Sequence, residues 1–178
     1  MDKINLENPI ICLITGPAGA GKSTVSHVLA GKFEKSAVIN ADDLQKMIVG
    51  GRVKLYPWDE KVEKQLFLRT QNASILANNF LESGYNVIID CIVGKTHLKQ
   101  FQDFFNNRKI KVFLLLPTHE ALLKRFDERE KNDELRKRTQ ELYEKFKLRK
   151  DELDWVVIDS SSQVAEETAD QIFTELTK

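Results

Sequence analysis

Gly16, Pro17, Ala18, Gly19, Ala20, Gly21, Lys22, Ser23 and Thr24 form one run, GPAGAGKST, set directly between an apolar stretch and a helical stripe. Residues 10–15 (IICLIT) are apolar without alternation, the pattern of a strand buried on both faces. Residues 22–33 carry Val25, Val28, Leu29 and Phe33 at helical spacing. Between strand and helix, the glycines let the backbone curl so that successive N–H groups face a phosphate. The start of the helix adds its positive end. The spacing G-x-x-x-x-G-K-S in this context implies nucleotide binding by all nine residues. Lys22 reaches the outer phosphates, and the Ser23 hydroxyl can ligate Mg²⁺.

The rest of the chain keeps switching between short apolar runs and helical stripes, as an α/β fold requires. Further strands are expected at 37–40, 86–90, 110–116 and 155–158, and helices at 41–49, 58–83, 96–107 and from 119 onward. The long helix presents Val62, Leu66, Ala73, Leu76 and Phe80 and is closed by Gly84. The next presents Leu98, Phe101, Phe104 and Phe105, and the last is lined by Val164, Thr168, Ile172 and Leu176. Five strands interleaved with helices predict a parallel sheet covered on both faces. No repeat or composition shift divides the 178 residues, so residues 1–178 read as a single domain.

Charge excludes some partners. Lys plus Arg and Asp plus Glu both number 27, so neither duplex DNA nor an anionic membrane surface is an expected partner. No apolar run is long enough to span a bilayer, and the N-terminus does not resemble a signal peptide. Cys12 and Cys91 are too few for a disulfide framework and read as buried thiols in a reducing compartment. The expectation is a cytoplasmic protein. A guanine-recognition N-K-x-D is missing, and Asp90 is followed by Cys91, Ile92 and Val93 rather than by D-x-x-G, so a GTPase is not expected.

Asn40, Ala41, Asp42 and Asp43 end the second strand, where strand C-termini converge on a ligand crevice. A hydroxyl attacking a γ-phosphoryl group needs a carboxylate to orient it and take its proton. Asp42 is the candidate base, with Asp43 behind it at the substrate. Both can also cap the following helix. Asp90, ending the third strand, can hold Mg²⁺ together with Ser23 or touch the acceptor. Arg125, Arg129, Arg136 and Arg138 cluster around the break at Lys131, Asn132 and Asp133. Guanidinium groups of a closing lid stabilise a transferring phosphoryl group. The interspersed Glu128, Glu130, Glu134 and Glu141 equally suit a salt-bridged, solvated helix. Arg69 falls on the buried stripe of the long helix, where it binds a substrate anion or snorkels out. Asn72 and Trp58 are candidates for the acceptor pocket. His27, His97 and His119 show no ligand spacing and read as surface residues.

With these residues together, the chain resembles the P-loop small-molecule kinases, the group of gluconate kinase, shikimate kinase and chloramphenicol phosphotransferase. It is most similar to small bacterial gluconate-kinase-like proteins, through GPAGAGKST, MIVGG and NFLESGYNVIID. The resemblance implies a three-layer α/β/α P-loop NTPase fold with strand order 2-3-1-4-5, a short arginine-bearing lid at roughly 126–140, and ATP and Mg²⁺ as cofactors. It also implies Asp42 as general base, Arg125 near the adenine, Arg129 and Arg138 in the lid, and residues 159–162 beneath the adenine. INADDLQKM resembles the acceptor segment of polynucleotide 5′-kinases too, but Gln45 stands where those carry an arginine. The function expected is transfer of the γ-phosphoryl group of ATP to a hydroxyl of a small molecule, such as a sugar acid or an antibiotic-like compound. A polynucleotide or nucleotide-end 5′-kinase is one alternative, and a nucleotide-dependent switch protein without an acceptor is another.

Overall fold

β1 (Ile11–Thr15) is completely buried because it has a hydrogen-bonded neighbour on either edge and helices over both faces. The computed structural model describes residues 3–106, 108–150 and 154–178. In it β1 joins β2 (Ser36–Asn40), β3 (Asn86–Asp90), β4 (Ile110–Leu115) and β5 (Val156–Ile158) in one parallel sheet of order β2-β3-β1-β4-β5. This is the expected order. It places the end of β1 where the chain's crossovers change direction along the sheet, the point at which open α/β sheets bind ligands.

Alternate residues of the strands feed two separate cores. Ile11, Leu13, Val87 and Ile89 pack with Ala73, Ala77 and Leu81 of α3 (Glu60–Glu82) and with Leu98, Phe101 and Phe105 of α4 (Lys95–Phe105). Cys12, Ile14, Ile88 and Phe113 face the other way. They meet Val25 and Leu29 of α1 (Lys22–Ala30), Leu122 of α5 (His119–Arg129), Tyr143 of α6 (Asp133–Arg149), and Ala169 and Ile172 of α7 (Ala165–Leu176). Both faces of each strand are apolar because each is covered, which is why the sequence does not alternate.

The helices are shorter than their stripes suggest, since local caps decide their ends. α1 stops at Ala30 before Gly31, and α2 (Ala41–Lys46) is only six residues long. α3 starts at Glu60 because the Asp59 carboxylate accepts the Val62 N–H at 2.7 Å. Its buried stripe runs through Arg69, Thr70, Ala73, Ser74, Ala77 and Leu81, so Leu76 and Phe80 sit at its partly exposed margin. Phe104 likewise turns outward, and Val164 is the exposed cap of α7 rather than part of its core. Asn107, the last residue of the expected helix at 96–107, lies outside the described residues. None of the helices among the described residues is long and apolar enough to cross a membrane.

One buried polar side chain ties the starts of three strands together. Asn86 Oδ1 accepts the Ile10 N–H at 3.1 Å, and its Nδ2 donates to the Lys35 carbonyl at 3.1 Å. Replacing it leaves buried backbone groups without partners. Asn86→Ala is expected to cost about 1–3 kcal/mol in urea unfolding, and an unchanged midpoint would show that the clamp carries no stability.

Candidate active site

The chain leaves β1 inside the molecule and must turn at once to begin α1. Gly16, Gly19 and Gly21 do this with φ of +140°, +84° and +93°, a region that glycine enters without a Cβ penalty. A Cβ on Gly16 would also lie 2.3 Å from the Leu115 carbonyl oxygen of β4, so no larger residue fits. At the first turn of α1, Lys22 folds back and its Nζ donates to the Pro17 carbonyl at 3.1 Å. Burial pulls the Lys22 pKa down, while Asp90 and Asp42 act against that.

Ser23 Oγ donates to Asp90 Oδ2 at 2.5 Å. The Asn40 amide donates to the same oxygen at 3.3 Å, and its own Oδ1 caps α2 by accepting the Asp42 N–H at 2.9 Å. Asn40 therefore fixes the end of β3 and the start of α2 together. Burial raises the Asp90 pKa, opposed by Lys22 and by the Ser23 hydrogen bond. A hydroxyl and a carboxylate side by side at the foot of the loop fit Mg²⁺, which takes few protein oxygens and completes its shell with water and phosphate. Among the described residues there is no cluster of three His, Cys, Asp or Glu to cage a metal by protein alone.

Asp42 stands on the first turn of α2 with its side chain 63% exposed, facing a cavity of about 1080 Å³. Its Oδ1 accepts from Arg69 Nη1 at 3.2 Å. Arg69 is held inside, its side chain only 4% exposed, and its Nη2 donates to the Ile92 carbonyl at 3.3 Å. Arg69 therefore does not snorkel out. Its charge is answered by Asp42, and its Nε has no partner. Asp43, one residue on and about 100° round the helix, pairs instead with Lys46 at 2.8 Å on the exposed side. Asn72 is exposed and does not line the cavity. The structure thus brings Asp42, Arg69 and Asp90 together and leaves Asp43 and Asn72 outside. Cys91, beside Arg69, is buried and pushed up to about 11, and Cys12 is pushed higher still, so both thiols stay protonated.

The arginines divide between two roles. Arg125 Nη2 donates to the Ser160 and Ser161 carbonyls at 2.7 and 3.1 Å, locking α5 to the turn after β5. Arg129 and Arg138 line the cavity with Asp42. Burial lowers the Arg138 pKa, opposed by Asp42. Arg136 faces away and grips Asp127 with bonds of 2.8 and 3.2 Å on the surface. The solvated salt-bridge reading holds for Arg136.

Several cavity residues escape sequence reasoning. Glu63, on the first turn of α3, meets His97, on the first turn of α4, only because those helices pack together. His97 is 7% exposed rather than a surface residue, and the Trp58 ring covers it with centroids 6.5 Å apart. Gln65 pins the segment over the cavity by accepting the Val53 N–H at 3.0 Å and donating to the Gly51 carbonyl at 2.6 Å. It also accepts from Gln45 at 2.8 Å, so Gln45 is buried and engaged within the protein. Tyr56 Oη donates to Glu141 at 3.0 Å and joins that segment to α6.

The strand order, the glycine loop after β1 and the cavity beyond it define a P-loop kinase fold. The chain belongs to the Zeta toxin family, which it matches over residues 2–173. No curated protein sequence matches it. Among solved structures it is similar to a sugar kinase from Janibacter sp. HTCC2649, at 17% identity and a TM-score of 0.69 over 95% of each chain. It is similar also to the shikimate kinase of Acinetobacter baumannii in complex with shikimate, at 20% identity and 0.65 over 96% of this chain and 94% of that one. The gluconokinase of Sinorhizobium meliloti 1021 matches at 17% identity and 0.68, over 95% and 92%. At these identities the likeness is one of fold.

Burial lowers the His97 pKa, helped by Arg69 and opposed by Glu63. The unfolded chain therefore binds more protons than the native one just below the ordinary histidine pKa of about 6.5. Stability rises with pH in that window and falls as pH drops through it. Urea unfolding from pH 7.5 down to 5 should show a smaller loss in His97→Asn than in the wild type. Parallel curves would contradict the assignment.

Proposed function

We propose that the protein transfers the γ-phosphoryl group of ATP to a hydroxyl of a small molecule bound in the cavity beyond the glycine loop. The observation that carries this reading is the placement of Asp42. It stands between the loop and the cavity, one oxygen held by a buried arginine and the rest of the carboxylate facing open space. The Arg69 bond fixes the direction of the carboxylate and leaves Oδ2 to accept the acceptor's O–H. In the transfer, that oxygen attacks phosphorus, its proton passes to Asp42, and the bond from phosphorus to the β,γ-bridging oxygen breaks to release ADP.

Loop N–H groups and Lys22 bind the triphosphate, with its terminal phosphate turned toward Asp42. Arg129 and Arg138 offer guanidinium groups to the charge that spreads over the transferring oxygens. Arg125, through its bonds to the 160–161 carbonyls, shapes the edge where the adenine lies. Ser23 and Asp90 would hold Mg²⁺, which when bound neutralises charge on the β- and γ-phosphates. The segment at 130–132, between α5 and α6, lies within a lid of roughly residues 126–140 that carries the cavity arginines. The absence of an arginine at position 45, where Gln45 is engaged with Gln65, favours a small acceptor over a polynucleotide end.

Asp42→Asn keeps the shape of the side chain and removes the base. It is expected to lower the transfer rate about 10²–10⁴-fold while ATP affinity, read by equilibrium dialysis, stays within a few-fold. Lys22→Ala is expected to lose both transfer and tight ATP binding. Full activity in Asp42→Asn would remove Asp42 from the mechanism.

A further inference from the structure

The cavity is lined by a second group of polar residues that the transfer chemistry does not use. His97 is buried on the first turn of α4 and lines the cavity, and its Nε2 has no hydrogen-bond partner. Glu63 approaches it from α3, but Glu63 Oε1 stops 3.9 Å from that nitrogen, beyond hydrogen-bond length. The second carboxylate oxygen, Glu63 Oε2, is buried without a partner as well. Two buried polar atoms without partners on facing side chains are costly for the protein alone, and such atoms call for an explanation such as a ligand. Beside them stands Trp58, 59% exposed and lining the same cavity, its ring inclined at 67° to the imidazole.

We propose that Trp58, Glu63 and His97 form the recognition subsite for a neutral, hydroxyl-bearing ring of the acceptor, and this rests on the phosphotransfer reading of the cavity. The ring lies on the indole face, as amphipathic rings do on tryptophan. One hydroxyl sits between Glu63 and His97, donating to the carboxylate and sharing the second hydrogen bond with Nε2. A hydroxyl is the group that suits both. It donates and accepts at one atom, and a single oxygen can reach two groups 3.9 Å apart. An anion there is repelled by Glu63. Neutral polyol here and reacting hydroxyl at Asp42 together select a cyclic polyol, such as a sugar or cyclitol unit, over a carboxylate compound.

The test uses the full-length protein with myo-inositol, methyl glucoside and gluconate as probes. The chain has two tryptophans, so in Trp155→Phe the fluorescence of Trp58 is read alone. A neutral polyol should quench it and bind at least tenfold tighter than gluconate. Glu63→Gln should weaken that binding about 10- to 100-fold, the scale of a hydrogen bond to a charged group, and His97→Asn about 2- to 10-fold, the scale of a neutral one, neither lowering the unfolding midpoint. Trp58→Phe should retain much of the affinity that Trp58→Ala loses, read by calorimetry. In parallel, labelled ATP reports transfer, where the two polar variants should raise KM and leave kcat within a few-fold. Tighter binding of gluconate, no binding of either neutral probe, or an unchanged KM in both variants would overturn the subsite. If polyols bind with this pattern but no label is transferred, the subsite stands and the kinase reading falls.

Discussion

The close passage of Gly16 past the Leu115 carbonyl is the constraint on which the site depends. A strand buried on both faces and both edges can end only where its neighbours allow. Here β4 leaves room for backbone alone, 2.3 Å from where a Cβ would be. The chain therefore turns through three positive-φ glycines, and α1 begins with Lys22 and Ser23 already at the crevice. Everything on the donor side follows. Ser23 meets Asp90 because β3 pairs in register with β1, Ile14 opposite Asp90. Asn40 meets the same carboxylate because β2 pairs with β3, Asn40 opposite Asp90. Parallel register, rather than any local motif, converts three strand ends into one cluster.

The acceptor side is organised by a different force, the need to answer a buried charge. Arg69 sits on the inward stripe of α3, among positions otherwise taken by small and apolar residues. Asp42 and the Ile92 carbonyl answer its two terminal nitrogens, so the arginine joins α3, the start of α2 and the segment after β3. Breaking such a pair from one side leaves a buried charge unanswered. Gln65 and Tyr56 add neutral ties from the overlying segment to α3 and α6. The glycine loop thus faces a cavity whose walls come from five separate helices, an arrangement in which acceptor choice can differ while the phosphate cradle stays the same.

How legible this was in the sequence follows the range of each interaction. The glycine loop, the parallel sheet and the strand-end aspartates are local or set by strand pairing, and patterning alone reaches them. The inward placement of Arg69 follows from helical spacing. Asp43 and Asn72 mislead because a helix rotates by about 100° per residue, so that neighbours in sequence are not neighbours at a site. Glu63 and His97 were beyond reach. They lie 34 positions apart on different helices, and nothing in their spacing records that α3 and α4 pack side by side. The split among the arginines is similar, because Arg136 and Arg138 differ in facing rather than in type.

The account rests on one claim, that the terminal phosphate of ATP leaves as an organic ester. The most direct measurement is to incubate the protein with γ-labelled ATP, Mg²⁺ and a mixture of sugars, cyclitols and sugar acids, then separate the label by chromatography. The account predicts a labelled phosphomonoester that resists mild acid and is released by phosphatase, formed only when the mixture is present. Label found solely as inorganic phosphate, at a rate indifferent to the mixture, would mean that water is the acceptor and would contradict the account.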